Sequence, residues 1–238
     1  MMPMTTRHAD RTKRSPHPGG LLLFALLIPL AALLAATAAA SPSNPVQVAY
    51  YANNTSIYCA NSVFVSDGYA YVTGGCSNSL VIFNVSGVHA YSPVQVTYYA
   101  DSLRLNYSHS VFVSGGYAYV GSINGNSLTV FNVTDPTNPV LVAFIQNATS
   151  MYSPYSVFVS GGYAYIVSFY DDSLTVFNVS NPSNPVQVAF IQNATSLNNS
   201  MSVFVSGGYA YVASKYSLTV FNVSNPVSPV QEKKDWTR

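Results

Sequence analysis

Charge is what this sequence has least of. Only 7% of its 238 residues are Asp, Glu, Lys or Arg, and between Pro45 and Ser228 there are five Asp, one Arg and one Lys. Phosphate binding needs clustered Lys or Arg that release counterions, so nucleic acid is excluded as a partner. Cysteine is nearly absent too, with Cys59 and Cys76 alone. No Cys-x-x-Cys or His-x-x-x-His spacing occurs, which leaves His89 and His109 as isolated imidazoles rather than zinc ligands. Asp171 and Asp172 adjoin, but the Gly-spaced ligand series of a calcium loop is missing around them. No metal and no cofactor is expected. Helical periodicity is also lacking: beyond the N-terminal segment no window holds a 3.6-residue apolar repeat, and Gly, Pro and β-branched residues stand against helix throughout. No nucleophile has an ordered base beside it, so no catalytic residue is named and the chain reads as a non-enzyme.

What is present begins with a targeting signal. Arg7, Arg11, Lys13 and Arg14 precede an uncharged stretch from Leu21 to Ala40, which ends in small-x-small triplets at Ala36-Thr37-Ala38 and Ala38-Ala39-Ala40. That pattern reads as a signal peptide over residues 1–40. About twenty apolar residues also match a bilayer's hydrocarbon thickness, so a retained N-terminal hydrophobic helix is the second reading, with contact to membrane through that segment only. Both place the rest of the chain outside the cytoplasm, secreted or at the cell surface. Two cysteines in an exported chain point to a Cys59–Cys76 disulfide.

From residue 45 to 230 the sequence repeats itself. Ser62-Val63-Phe64-Val65-Ser66-Asp67-Gly68-Tyr69-Ala70-Tyr71-Val72 returns from Ser110, Ser156 and Ser202, at steps of 48, 46 and 46 residues. In the third copy Val157-Phe158-Val159 and Tyr163-Ala164-Tyr165-Ile166-Val167 flank Gly161-Gly162, a hairpin signal. Ser173 to Val179 forms a third strand that stops at Asn181-Pro182, and Pro185 to Ile191 supplies a fourth. Four short strands in 46 to 48 residues are the blade of a β-propeller, whose sheets are covered on both faces by their neighbours. The fold class is therefore all-β, a propeller of four four-stranded antiparallel blades, with residues 231–238 as a short polar tail. The first repeat element after the leader, Pro45 to Tyr51, is a fourth-type strand, and the last complete one, Ser217 to Val223, is third-type. Pairing of the two would close a four-bladed ring; otherwise Pro229-Val230-Gln231 opens a further copy and the ring stays open, with exposed ends able to form a homodimer.

The strand, Gly turn, Tyr-Ala-Tyr and Leu-x-Val-Phe-Asn-Val-Ser-Asn-Pro-x-x-Pro-Val (Leu174 to Val186) recur in order, and in this the chain resembles the LVIVD repeat of secreted and cell-surface propeller proteins of bacteria and archaea. It departs from that repeat in carrying Asn84, Asn132, Asn178 and Asn222 where Asp is usual. The resemblance implies a propeller outside the cell and no single activity.

The copies differ most in the loops after their second and fourth strands, which a propeller displays on one face. These loops bear Tyr58, then Arg104, Tyr107 and His109, then Tyr152, Tyr155, Tyr170, Asp171 and Asp172, and finally Lys215 and Tyr216. Tyr, amides and isolated charges on a rigid frame are the usual makings of a recognition surface. The leading expectation is a non-enzymatic scaffold that binds a surface protein or carbohydrate. A propeller hydrolase or lyase and a purely structural envelope protein are the alternatives. Asn147 and Asn193 begin Asn-x-Thr sequons in exposed loops and are the expected glycosylation sites.

Overall fold

The computed structural model describes residues 46–232; the expected signal peptide or hydrophobic helix and most of the polar tail lie outside them. Four antiparallel sheets follow one another, each with its strands in chain order. Blade 1 holds β1 (Ala60–Ser66), β2 (Tyr69–Gly74), β3 (Ser79–Asn84) and β4 (Val94–Ala100). Blade 2 holds β5 (Ser108–Ser114), β6 (Tyr117–Ser122), β7 (Ser127–Asn132) and β8 (Val140–Gln146). Blade 3 holds β9 (Pro154–Ser160), β10 (Tyr163–Ser168), β11 (Ser173–Asn178) and β12 (Val186–Gln192). Blade 4 holds β13 (Ser200–Ser206), β14 (Tyr209–Ser214), β15 (Leu218–Asn222) and the two-residue β16 (Val230–Gln231). Within residues 46–232 the only helical element is a 3-10 turn, Gly87–Ala90, between β3 and β4.

Each β1–β2-type hairpin turns on two residues of positive φ, as a right-twisted ribbon requires. The first position tolerates a side chain: Asp67 sits there at φ 51°, and open space surrounds Gly161. The second does not, because a Cβ on Gly162 would lie 2.8 Å from Ser180 Oγ. Ser180 is held there because its N–H donates to the Asn178 carboxamide oxygen at 2.9 Å, and Asn84, Asn132 and Asn222 make the same two-residue loop in their blades. The Asn that replaces the usual Asp of this repeat is thus a turn-former at the end of every third strand.

The core lies between sheets. β3, β7 and β11 are buried at five consecutive positions, so neither face meets water. Tyr71, Leu80 and Ile82 of blade 1 pack against Val111, Val120 and Phe131 of blade 2, and the matching residues repeat this joint from blade 2 to 3 and from 3 to 4. Each fully buried Leu or Phe contributes roughly 1.5–3 kcal/mol through the water it sheds. The first strands converge on the inner side, β1 on β5, β5 on β9 and β9 on β13. Along them Phe64, Phe112, Phe158 and Phe204 meet in tilted to edge-on contacts, with ring centroids 4.5, 4.6 and 4.8 Å apart.

The expected closure by the N-terminal strand is not found. Residues 46–51 form no strand, and β16 from the other end takes the first two outer positions of blade 4, Val230 opposite Asn222 and Gln231 opposite Phe221. Tyr51 instead lies against blade 1, its ring 4.8 Å from Phe83 and its hydroxyl donating to Gln95. Tyr99 of β4 meets Phe131 of the next blade at the same distance and angle. The segment before blade 1 therefore sits where the outer strand of a preceding blade would. β13 does not pack on β1 as the other first strands pack on one another.

Candidate functional site on the loop face

Cys59 and Cys76 are bridged, with Cα atoms 5.2 Å apart, tying the loop that enters β1 to the loop between β2 and β3. Backbone bonds flank the bridge, Gly75 N–H to the Cys59 carbonyl and Cys76 N–H to that of Tyr58. The expected pairing is present, and a bond of this kind persists in oxidising, extracytoplasmic surroundings.

Several loop residues read as recognition groups turn out to hold the blades together. Tyr107, Ser153 and Asn199 adopt positive φ as each chain segment enters a new blade. Their N–H groups donate to side chains of the blade before: Tyr107 to Asn78, Ser153 to Asn126 and Asn199 to Asp172, at 2.7–2.9 Å. Tyr107 and Asp172 are placed by this backbone duty. Arg104 closes a turn on Asp101 at 2.7 Å and stands 5.9 Å over the Phe144 ring. Burial opposes ionisation of Asp101, but the N–H groups of Arg104 and Leu103 and the guanidinium outweigh it and hold the carboxyl below its ordinary range. The Asn147 and Asn193 carboxamides cap the turns that follow them, each accepting two backbone N–H groups. Lys215 and Tyr216 pair with each other on blade 4, the ammonium 4.9 Å above the ring.

A different subset converges between blades 2 and 3. His109, the second residue of β5, lies half-buried with its ring 4.2 Å from that of Tyr155 on β9. Tyr155 stacks on Phe169 at 5.0 Å, Phe169 meets Tyr170 edge-on at 5.1 Å, and Tyr170 reaches Tyr152 at 5.4 Å. Beneath them Asp171 is buried and accepts the Tyr152 N–H. Burial pushes the Asp171 carboxyl up, and neighbouring Asp172 adds to the shift against that hydrogen bond. His109 Nδ1 lies 2.8 Å from the Tyr155 carbonyl oxygen. A carbonyl only accepts, so the proton sits on Nδ1 and the lone pair of the neutral ring on Nε2. Burial pulls the imidazole below its usual pKa despite that hydrogen bond.

The structure thus joins His109, Tyr152, Tyr155, Tyr170 and Asp171, and leaves Tyr58 exposed beside the disulfide. Sequence reasoning missed Phe169, the ring that links Tyr155 to Tyr170. Its signal was available as an aromatic inside a loop that differs in every copy. On the opposite face a cleft of about 330 Å³ opens between the turns of blades 3 and 4, lined by Tyr163, Tyr165, Gly207, Gly208 and Pro226 among others. It holds no carboxylate or imidazole, so it offers nothing for acid–base work. No group of three or more metal-ligating side chains occurs among the described residues.

The sequence pattern of the LVIVD repeat matches residues 59–88, 106–146, 154–191 and 198–234. No curated protein matches the sequence. Among solved structures, the chain superposes on a periplasmic gluconolactonase of Pseudomonas aeruginosa with a TM-score of 0.63 at 15% identity, over 73% of this chain and 53% of that one. A putative 6-phosphogluconolactonase of Bacteroides fragilis gives 0.63 at 14%, over 74% and 54%. The chain spans about half the length of these structures. A computationally designed protein, Ika4, matches at 0.54 and 6% identity over 75% of this chain and 98% of its own. Such identities carry the fold alone. The expectation of a scaffold for a surface protein or carbohydrate is corrected to this extent, that propellers named for lactone chemistry stand among those that share this frame.

Proposed function

The chain belongs to the LVIVD repeat family, and from that footing we propose that it is a propeller hydrolase of the exported space, opening a small ring ester of the sugar-acid class. The observation that carries this reading is the imidazole of His109, neutral and fixed in the tautomer that leaves Nε2 basic. A general base needs that lone pair and a proton affinity low enough to keep it free at neutral pH. Nε2 takes a proton from water as the water oxygen adds to the lactone carbonyl. The ring C–O bond then breaks, and the proton returns to the departing alkoxide to give the hydroxy acid. The stacked rings of Tyr155 and Phe169 form a rigid apolar support beside His109, and the exposed Tyr152 and Tyr170 supply hydroxyls at the rim. The Cys59–Cys76 bridge and the basic-then-apolar N-terminus favour secretion or display at the cell surface.

Acid release from glucono-δ-lactone in a pH-stat tests the reading. The His109→Gln variant should lose about 10²–10⁴ in kcat/KM while keeping the parent's unfolding midpoint to within a few degrees. Because the folded-state pKa is depressed below the ordinary histidine value of 6.5, activity should rise with pH through a point below 6.5 and stay flat above it. A wild-type protein no faster than buffer, or a variant with unchanged rate, would remove the assignment.

A further inference from the structure

We propose that two copies of this chain join head to tail, blade 4 of each against blade 1 of the other, into one eight-bladed ring. Each end of the chain carries one half of the joint that is built three times inside it. On the leading half, Leu80, Leu128 and Leu174 are fully buried, whereas Leu218 at the same position of blade 4 is 70% exposed. Phe204 and Tyr211 are likewise uncovered where Phe64, Phe112 and Phe158, and Tyr71, Tyr119 and Tyr165, meet the next blade. On the receiving half, Val63 and Val65 are 62% and 61% exposed, against 4% and 6% for Val111 and Val113. None of the side chains named on either half is charged.

The polar stitching is left half-made in the same sense. Ser62, Ser110 and Ser156 accept, on Oγ, the N–H of Val111, Val157 and Val203 of the next blade at 3.1–3.3 Å. Ser202 stands exposed at the fourth such position, and Val63 begins the series among the described residues. A second copy brings these two together. It also completes blade 4 at the rim. β16 pairs with Phe221 and Asn222 of β15 and the Glu232 N–H reaches the Val220 carbonyl, which leaves Leu218 and Thr219 without an outer partner among the described residues, while Tyr51 of the other copy already occupies the place of an outer-strand residue of a preceding blade. In the register of blade 3, where Leu174 faces Ile191 and Thr175 faces Phe190, Tyr51 falls opposite Leu218 and Tyr50 opposite Thr219. The loop amide bond is the one feature the new joint lacks, since Tyr216 stands where Asp172 serves Asn199. The number of copies follows from geometry. Heterologous contacts must close into a ring or run on as a filament, and propellers close with about four to eight blades. Two chains supply eight; three exceed the range.

Native mass spectrometry and light scattering on protein recovered from expression of the full chain decide the matter. The wild type should have the mass of two chains. Leu218→Arg and Val65→Arg, placed at opposite ends and both on exposed side chains, should each halve it, with far-ultraviolet circular dichroism unchanged as the check on folding. Val88→Arg, on the exposed 3-10 turn away from both ends, should leave two chains. A single-chain wild type, as a ring closed on itself would give, overturns the proposal. So does a mass beyond two chains, or a dimer that survives either end variant, which would mean that like ends pair.

Discussion

At the residue scale the hairpin turns divide labour between their two positions. Both run at positive φ, but only the second has a neighbour where its Cβ would go. Gly162→Ala should therefore destabilise by about 1–2 kcal/mol, the cost of a left-handed L-residue, with more added by the crowded Ser180 hydroxyl. Gly161→Asp, which copies the Asp67 of blade 1, should change the urea midpoint little. Equal losses at both positions would show that conformation alone, and not the packed serine, sets the requirement. These glycines and the strand-ending asparagines were readable from the sequence because each acts within a few residues of itself. His109 was readable as an imidazole on the loop face and no further. Its tautomer depends on the Tyr155 carbonyl, which belongs to the next blade and lies 46 residues away. The inter-blade bonds of Tyr107 and Asp172 were hidden for the same reason: recognition and inter-blade fastening draw on one residue vocabulary, and only the partner tells them apart.

At the scale of the element the third strands are the most constrained parts of the chain. β11 presents Leu174 and Val176 to blade 4 and Phe177 to blade 2, so each face serves a different joint. Phe177→Ala should cost about 3–5 kcal/mol, read as a lower urea midpoint at constant slope. A loss under about 1 kcal/mol would mean that the two joints can collapse onto the gap. The four strands per blade and their pairing partners were legible in the alternation, the glycine pairs and the Asn-Pro stops. The role of residues 46–51 was not. Their sequence matches a fourth strand, and pattern alone gives no reason to choose among the sheets they might complete. The structure seats them through Tyr51 on Phe83, a contact between side chains that no ladder dictates.

At the scale of the whole molecule, stability is distributed over three near-identical joints, and none depends on ions. Arg104–Asp101 is the one salt bridge found among the described residues, and it closes a turn within a single segment. An assembly cemented by apolar surface responds to temperature in the opposite sense from one cemented by charge, because the driving force for hiding such surface fades on cooling. The paired species should therefore dissociate more readily near 4 °C than at 25 °C, and raising sodium chloride from 50 to 500 mM should not promote its dissociation; sedimentation velocity at the two temperatures checks both. A pairing that tightens in the cold, or melts with salt, would show that polar contacts and not the apolar surface dominate the joint. The scarcity of charge then carries a meaning beyond solubility: the particle would keep its form through swings of salinity and be vulnerable chiefly to chill.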